Sequence, residues 1–347
     1  MRAYGVKNIV FISLIAFIIG MLVLGYYIQR DKSKVEVTAV GDILLARGVK
    51  DRINQKGIEY PYEKVEEILH KKDIVLGNLE GPIYEGDYGV YKAPYLVFKG
   101  VKENVPALKQ AGFNILNLAN NHSMDYGSHG LSNTMDMLER YDIKYMGAGE
   151  NYLDARKPLI INKKGMKIGF LGYSIFPPEG YIYLANKADI ARVDFDKLEV
   201  EIKSAKEKCD FLIASFHWGN EYENYPSENQ KMLAHMAVDS GADIIIGHHP
   251  HVLQGIEKYK NKYIFYSLGN FIFDRQIHQE TDKSIILNIA IEKNKIKEIS
   301  LFPIIIKDCQ PSIAKGEEAE YIFSRLRSYS DGMSTQIVYK KNISVVK

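Results

Sequence analysis

Cysteine, net charge and sequence repetition are all scarce in this chain of 347 residues. Two cysteines, Cys209 and Cys309, are too few to indicate a redox compartment. The 45 basic and 43 acidic residues leave a net charge of only +2, so bulk charge implies no nucleic acid or other polyanion as a partner. The sequence has no internal repeat and no low-complexity tract, which excludes a repeat array.

One long apolar segment is present near the amino end. Residues 9–28, IVFISLIAFIIGMLVLGYYI, carry no charge, and about 20 such residues are needed for a helix to cross a bilayer. A buried globular helix of this length would show a polar face, and a cleaved signal peptide would have a shorter apolar stretch and a small-residue cleavage site. Because both features are missing, we predict an uncleaved transmembrane anchor. Basic residues stand on both sides of it, so charge alone leaves its orientation open.

The rest of the chain alternates between apolar runs rich in β-formers and helix-like stretches. This pattern is typical of an α/β protein with a largely parallel sheet covered on both faces. Ser227 and Gln230 form a capping-box signature at the start of one predicted helix, and alternating runs around residues 292–295 predict an antiparallel hairpin. The predicted strands are VEVTAV (35–40), DIVLGNL (73–79), FNILNLA (113–119), KIGFLGY (167–173), CDFLIASF (209–216), ADIIIG (242–247) and KYIFYSLG (262–269).

Polar side chains follow six of these seven predicted strands. Ligands of open α/β sheets bind outside the carboxyl ends of the strands, so we expect these groups to converge on one face. One such residue would carry no weight, but six together predict a functional site. The groups are Asp42, Glu80, the Asn121-His122 pair, His217, the histidines of GHHPHVLQG (247–255) and Asn270.

The residue types of this predicted site indicate metal chemistry. Histidines, carboxylates and an amide without cysteine are the ligand set of a divalent cation such as Zn, Mn or Fe(II). One catalytic metal takes three or four ligands, so the larger set favours two metals that share a bridging carboxylate. Two-metal centres hold the attacking and leaving oxygens of a displacement and activate water at neutral pH. We therefore expect hydrolytic chemistry, most often on a phosphoester, without a serine or cysteine nucleophile.

Three histidines within residues 248–251 offer more nitrogens than one metal pair requires. Pro250 restricts His249 toward an extended conformation. Residues two apart on extended backbone point to the same side, whereas adjacent residues point to opposite sides. We therefore predict His249 and His251 as ligands and expect His248 to face elsewhere.

Six segments of the sequence resemble the signature series of a known family. They match the CapA/PgsA family of bacterial poly-γ-glutamate capsule proteins, a branch of the calcineurin-like metallophosphoesterase superfamily. The blocks occur in order from about residue 35 to residue 280, which is more specific than any block alone. They read GDILLARGV, GNLEGPI, LANNHSMDYG, HWGNEY, GHHPHVLQG and YSLGNFIFD.

The resemblance implies a fold, a location and partners. The expected fold is a sandwich of two β-sheets flanked by helices, preceded by one transmembrane helix. The family places its domain outside the cytoplasm, held by a single-pass anchor in the cell membrane, which also resolves the orientation. The implied partners are the ligase and integral membrane subunits of a capsule synthase, together with poly-γ-glutamate.

The resemblance also implies a role for each site residue. His122 matches the histidine that acts as an acid or stabilises the scissile group. We expect Asn270 to contact substrate or to support the ligands. The implied metal ligands are Asp42, Glu80 as the bridging carboxylate, Asn121, His217, His249 and His251.

Two positions depart from the superfamily pattern. Its first motif is usually Asp-x-His, but here it reads Asp42-Ile43-Leu44, so one metal lacks a histidine. Glu80 stands where an aspartate is usual, which adds a methylene to the bridging side chain. Both departures lie at positions on which the occupancy of the two metal positions depends, and with it the phosphoesterase activity that the superfamily implies.

Simpler structural explanations exist for each residue taken alone. Asp42 could cap a following helix. Residues 121–123 could form a turn, and His217 could be a hydrogen-bonded core histidine at a strand end. Glu80 could sit in a hydrogen-bonded loop. The coincidence of all these residues at strand ends favours the site.

Two functions from different classes follow from the sequence. The first is a membrane-anchored component of poly-γ-glutamate synthesis and export, and the second is a free-standing extracytoplasmic metallohydrolase of a phosphoester or of the polymer. We favour the first because the blocks resemble the capsule family more closely than general phosphoesterases. The expected organisation is a cytoplasmic N-terminus, an anchor, a linker, a CapA-type domain and a C-terminal extension, at residues 1–8, 9–28, 29–34, 35–310 and 311–347.

Overall fold

The computed structural model describes residues 34–180, 186–340 and 343–346. The predicted transmembrane anchor at residues 9–28 lies outside these ranges. Within them, no helix is both long enough and apolar enough to cross a membrane.

The α/β class predicted from the sequence is confirmed. The described α-helices are α1 Arg47–Lys56, α2 Glu66–His70, α3 Asn104–Gln110, α4 Gly127–Arg140, α5 Tyr152–Ala155, α6 Phe195–Lys206, α7 Glu228–Asp239 and α8 Glu317–Tyr329, with a 3-10 turn at Pro94–Leu96. The strands are β1 Val35–Ile43, β2 Ile74–Leu79, β3 Ile115–Asn117, β4 Lys144–Met146, β5 Ala148–Gly149, β6 Leu159–Lys163, β7 Met166–Ser174, β8 Asp189–Ile190, β9 Phe211–His217, β10 Ile244–His248, β11 Ile256–Tyr259, β12 Lys262–Phe265, β13 Asn270–Ile272, β14 Lys283–Glu292, β15 Lys295–Lys307, β16 Gln310–Ile313, β17 Ile337–Lys340 and β18 Ile343–Val346.

The predicted strands belong to two large sheets rather than to one. The first sheet has the order β17-β18-β15-β14-β1-β2-β3-β4, with β13 beside β1 and β16 beside β15. The second has the order β11-β12-β10-β9-β7-β6, and β5 and β8 form a small separate pair. The strands predicted from the sequence pair in parallel within each sheet, β1 with β2 and β3, and β7 with β9, β10 and β12, while most of the added strands pair antiparallel. The single sheet expected from the strand pattern is therefore wrong, and the two sheets implied by the family resemblance are present. An apolar run indicates that a strand is buried, but it does not indicate which strand lies beside it.

The two sheets pack face to face, with helices on their outer faces. Val37 and Leu76 of the first sheet share a buried cluster with Phe170 and Ile213 of the second. The outer face of the first sheet packs against α1 to α4, and that of the second packs against α6 and α7. Each fully buried aliphatic or aromatic side chain contributes roughly 1.5–3 kcal/mol, so these three apolar layers hold the domain together.

Local sequence signals specify several of the connections. The hairpin predicted around residues 292–295 is confirmed, because β14 and β15 pair antiparallel with Glu292 opposite Lys295. Its two turn residues, Lys293 and Asn294, have φ of 51° and 61°, as the tight turns of hairpins require. The capping box at Ser227 is also present at the start of α7.

Residues beyond 310 pack on the same domain. Strand β16 pairs with β15, so a boundary at residue 310 falls at the start of a paired strand. Helix α8 buries Ile322, Phe323 and Leu326 in the cluster between the two sheets. Its outer side binds Glu280, whose carboxylate accepts hydrogen bonds from Tyr321 (2.7 Å), Arg325 (2.9 Å) and Tyr329. The described part of the C-terminal extension expected from the sequence therefore packs on the domain.

We expect Phe323→Ala to lower the free energy of unfolding by about 3–5 kcal/mol, because the side chain is fully buried and its loss leaves a cavity. Ser324→Ala, on the exposed side of the same helix, is the matched control and should change it by less than about 0.5 kcal/mol. Chemical denaturation followed by the fluorescence of Trp218, the single tryptophan, measures both. Equal stabilities of the two variants would show that α8 is not part of the core.

Candidate metal centre

Strand ends from both sheets meet at one buried location. Asp42 lies at the end of β1 and Glu80 directly follows β2, both in the first sheet. His217 ends β9 and His248 ends β10, side by side in the second sheet. Because parallel strands place their carboxyl ends at the same edge, the fold brings together the polar residues that follow the apolar runs.

A close approach of two backbones positions Asp42. A Cβ on Gly41 would lie 1.9 Å from the carbonyl oxygen of Gly269, so only glycine fits there. This contact lets the Asp42 amide donate to the Gly269 carbonyl at 3.1 Å, and it aligns Asp42 with Asn270 at the start of β13. The glycine before the aspartate is therefore a packing requirement of the site.

The carboxylate of Asp42 is fully buried and surrounded by polar partners. Asn78 Nδ2 donates to its Oδ1 at 2.9 Å, and the His249 amide donates to its Oδ2 at 3.3 Å. Nδ1 of His251 lies 3.5 Å from the same Oδ2. Burial by itself raises the pKa of Asp42, but close contact with His248 and His251 outweighs burial and holds the pKa well below its usual value. Asp42 is therefore ionised in the interior.

One group of candidate ligands consists of Asp42, Glu80 and His251, whose ligand atoms all lie within 4.8 Å of one another. Oε1 of Glu80 is 3.6 Å from Nε2 of His251, while its Oε2 is buried without a hydrogen-bond partner among the described residues. Burial raises the pKa of Glu80 to about 8 against the opposing charge of His251. Burial lowers the pKa of His251, but the charges of Glu80 and Asp42 prevail and raise it to about 9. A buried carboxylate oxygen without a partner and three converging donors fit a divalent cation.

A second group consists of Asn121, His217 and His249. Nε2 of His217 is 2.9 Å from Oδ1 of Asn121 and 3.1 Å from Nδ1 of His249. Burial holds the pKa of His217 well below its usual value, and burial together with the charge of His251 lowers that of His249 to about 3. Both rings are therefore neutral at pH 7, which is the form that binds metals.

The turn that carries the histidines is not extended. His249 and His251 have φ of 97° and 59°, so the expectation of an extended His249 before Pro250 is wrong. Backbone contacts impose this conformation: the His249 amide binds Asp42, and the Tyr222 amide donates to the Pro250 carbonyl at 2.8 Å. Each such position costs of order 1–3 kcal/mol, and strain of this kind concentrates at functional sites.

His248 lies nearer to the site than its strand position suggested. Its ring is 1% exposed, and Nδ1 is 3.3 Å from Oδ1 of Asp42. That contact lacks hydrogen-bond geometry, so neither ring nitrogen has a hydrogen-bond partner among the described residues. His248 therefore neighbours Asp42 instead of facing away from the site.

His122 lies beside the candidate ligands on the wall of a cavity of about 230 Å³, which Glu80 and His251 also line. Nδ1 of His122 is 3.0 Å from Oδ2 of Asp125 and 3.3 Å from Nζ of Lys92. Its ring stacks on Phe98 at 3.8 Å between centroids. Burial lowers the pKa of His122 although Asp125 opposes that shift, so the imidazole is neutral at pH 7. These contacts hold the ring through Nδ1 and leave Nε2 for a bound substrate.

Three site residues escaped the sequence analysis. Asn78 lies inside β2 and contacts both Asp42 and His217. Its signal was its place two residues before Glu80, since alternate strand residues share a face. Asp125 and Glu221 could have been found from their places within the NHSMD and HWGNEY segments.

Arg47 supplies a positive charge to the same cavity. Its Nη2 is 2.6 Å from Oδ1 of Asp274, and its guanidinium lies 4.3 Å from the centre of the Phe98 ring. Its Nε is buried without a hydrogen-bond partner among the described residues. A guanidinium held in this way on the wall of the cavity suits an anionic ligand.

Fold and site together define an α/β protein with a candidate divalent-metal centre at its strand ends. Residues 36–275 match the model of a family described as bacterial capsule synthesis protein PGA_cap. The chain is 38% identical to the capsule biosynthesis protein CapA of Bacillus anthracis, over 82% of this chain and 70% of that protein. It is 37% identical to the PGA biosynthesis protein CapA of Bacillus subtilis, over 80% and 73% of the two chains. The chain therefore belongs to the bacterial capsule synthesis protein family.

Solved structures are more distant. A 5′-nucleotidase precursor from Thermus thermophilus aligns over 85% of this chain and 58% of that chain, at 13% identity and a TM-score of 0.38. These values describe a remote likeness.

We expect Mn²⁺ or Zn²⁺ to raise the melting temperature of the metal-stripped protein, because an ion that binds only the folded state stabilises it by mass action. His249→Ala should reduce this metal-dependent increase, whereas His70→Ala, at an exposed histidine of α2, is the control and should retain it. The readout is the difference between melting temperatures with and without metal for each variant. No increase for the unaltered protein would contradict the site assignment.

Metal affinity should rise between pH 7 and pH 9. In the metal-free protein the pKa of Glu80 is raised to about 8 and that of His251 to about 9, so a metal must displace protons at pH 7. The same shifts mean that the folded state holds protons that the unfolded state has released. Without metal, stability should therefore fall as the pH rises through 8 and 9. Calorimetric titration in buffers of different ionisation enthalpy counts the released protons, and a pH-independent affinity would contradict this prediction.

Proposed function

We propose that this protein is a membrane-anchored component of poly-γ-glutamate capsule synthesis or export that uses a divalent-metal centre. The single observation that carries the metal centre is the convergence of six predicted ligand residues at the buried strand ends. Family membership and the names of the two CapA relatives support the link to capsule synthesis. The apolar segment at residues 9–28 supports the anchor.

The proposed centre is of the calcineurin-like type, with one or two ions of Mn, Zn or Fe. Asp42, Glu80 and His251 would hold one ion, and Asn121, His217 and His249 would hold the other, with Glu80 as the bridge. When bound, such ions polarise an oxygen of the substrate and lower the pKa of water. The chemistry of the donor set supports this assignment, since neutral imidazoles and carboxylates suit these cations.

The residues around the proposed centre would bind and orient an anionic substrate. Arg47, paired with Asp274, lines the cavity. Lys92, paired with Asp125 at 2.6 Å, places its ammonium 3.3 Å from Nδ1 of His122. His122, neutral and held by Asp125, could carry a proton at Nε2 to or from the substrate. A polymer of glutamate carries one free carboxylate per unit, which matches these cationic groups.

The proposed location is the outer face of the cell membrane, with the anchor crossing once. The proposed partners are a cytoplasmic ligase and an integral membrane subunit of the capsule synthase. The resemblance of the six sequence blocks to the capsule family supports both proposals. In this arrangement the domain would receive or process polymer as it leaves the membrane.

A second candidate function is that of a free-standing extracytoplasmic hydrolase of a phosphoester or of the γ-glutamyl polymer. The observation that favours it is the position of His122, which shares a cavity with Glu80 and His251. A histidine that can exchange a proton with the substrate beside a metal centre suits hydrolysis.

Deletion of the gene from a capsule-forming host should abolish surface poly-γ-glutamate. The unaltered gene and a His70→Ala variant, changed at an exposed residue of α2, should restore the polymer, whereas His251→Ala should not. The measurements are the amount of surface polymer and the amount of each variant in the membrane fraction. A normal capsule after deletion would overturn the capsule proposal. Restoration of the polymer by His251→Ala would show that capsule formation does not need the proposed metal centre.

If the second function holds, the purified protein with Mn²⁺ or Zn²⁺ should cleave an activated phosphodiester or shorten poly-γ-glutamate. His122→Ala should then lower kcat by about 100-fold or more, as expected for loss of a group that transfers a proton. His129→Ala, an exposed histidine on α4, is the control and should keep full activity. Activity that survives in His122→Ala would indicate a contaminant.

A further inference from the structure

The first candidate ligand group is short of one ligand, and the structure shows why. Leu44 stands where the superfamily pattern has a histidine. It is fully buried and packs in an apolar cluster with Ala46, Phe98 and Phe273. Position 44 thus offers no ligand atom. Asp42, Glu80 and His251 are left as three protein ligands for this ion.

Glu221 approaches the same centre from the second sheet. It lies in the turn that follows β9, and the adjoining Tyr222 amide binds the Pro250 carbonyl at 2.8 Å, between the two ligand histidines. A carboxylate oxygen of Glu221 and nitrogens of His249 and His251 all lie within 4.8 Å of one another. Glu221 also lines the cavity that contains Glu80. His251 therefore belongs both to the group with Asp42 and Glu80 and to a further group with Glu221 and His249.

We propose that Glu221 is a ligand of the ion that His251 binds, in place of the histidine that position 44 lacks. This inference rests on the proposed metal centre. Ligand atoms around a tetrahedral ion with bonds of about 2.1 Å lie about 3.4 Å apart, so the Glu221 carboxylate must come closer to His251 than the 4.8 Å limit within which the two now lie. Glu221 is an exposed residue, so rotation of its side chain can supply that movement. Asp42 and Glu80 are buried and already in place.

Glu221 in place of a histidine would change which metal the position around His251 prefers. With Glu221, the position would hold three carboxylates and one imidazole, whereas the usual pattern has two histidines. Oxygen-rich sites suit Mn²⁺, while imidazole-rich sites suit Zn²⁺. We therefore expect this position to bind Mn²⁺ in preference to Zn²⁺, and Asn121, His217 and His249 to form the more nitrogen-rich neighbour.

The test is calorimetric titration of the full chain, purified in detergent and stripped of metal, with Mn²⁺ alone. Glu221→Ala should weaken one class of Mn²⁺ site by about 10-fold or more and leave the other class in place. Glu221→Asp should retain part of the affinity. Glu223→Ala, which removes an exposed carboxylate two residues away, is the matched control and should bind as the unaltered protein does. Melting temperatures measured without metal show whether each variant folds.

The outcomes separate the two proposals. If the unaltered protein binds no Mn²⁺, the metal centre and the Glu221 assignment both fail. If it binds Mn²⁺ and Glu221→Ala binds equally well, the centre stands and only the Glu221 assignment is overturned. If Glu221→Ala and Glu223→Ala weaken Mn²⁺ binding equally, the Glu221 assignment is also overturned, because the loss would then reflect a general effect of negative charge.

Discussion

The fully buried carboxylate of Asp42 is the constraint on which the site depends. An ionised group without water is costly unless charges and hydrogen bonds compensate it. Here the compensation comes from Asn78 on the neighbouring strand of the same sheet and from the histidine turn of the opposite sheet. The need to satisfy this one group therefore joins the strand ends of both sheets. The left-handed backbone of His249 follows from the same need, because it delivers an amide to the carboxylate.

Much of the fold could be predicted because its causes are local. Apolar runs specify buried strands, the Ser227 capping box begins a helix, and the turn at residues 293–294 closes a hairpin. The division of the strands between two sheets could not be predicted from the same pattern. Strands of both sheets are equally apolar, since both are covered on two faces, and pairing depends on contacts between residues far apart in sequence.

The site was predictable to the extent that it follows strand ends. Asp42, Glu80, Asn121, His217 and His249 were found in this way, and the structure brings them together. Two features lay beyond that reasoning. The direction of the histidine side chains depends on a strained turn that only tertiary contacts hold in place. The contribution of Asn78 depends on partners from two other strands, so its place two residues before Glu80 indicates the face on which it lies but not the groups that it contacts.

The hydrogen bonds of Glu280 connect helix α8 to the candidate metal centre. Glu280 precedes Thr281, whose carbonyl accepts a hydrogen bond from Asn270 Nδ2 at 3.1 Å, and Oδ1 of Asn270 is 2.9 Å from Nδ1 of His251. A continuous series of contacts thus runs from α8 to a candidate ligand. Thermodynamic linkage is reciprocal, so an ion that orders His251 and Asn270 would also favour the docked state of α8, to the same degree that docking favours the ion. The docking of α8 would then depend on metal occupancy, although α8 would not contact the metal.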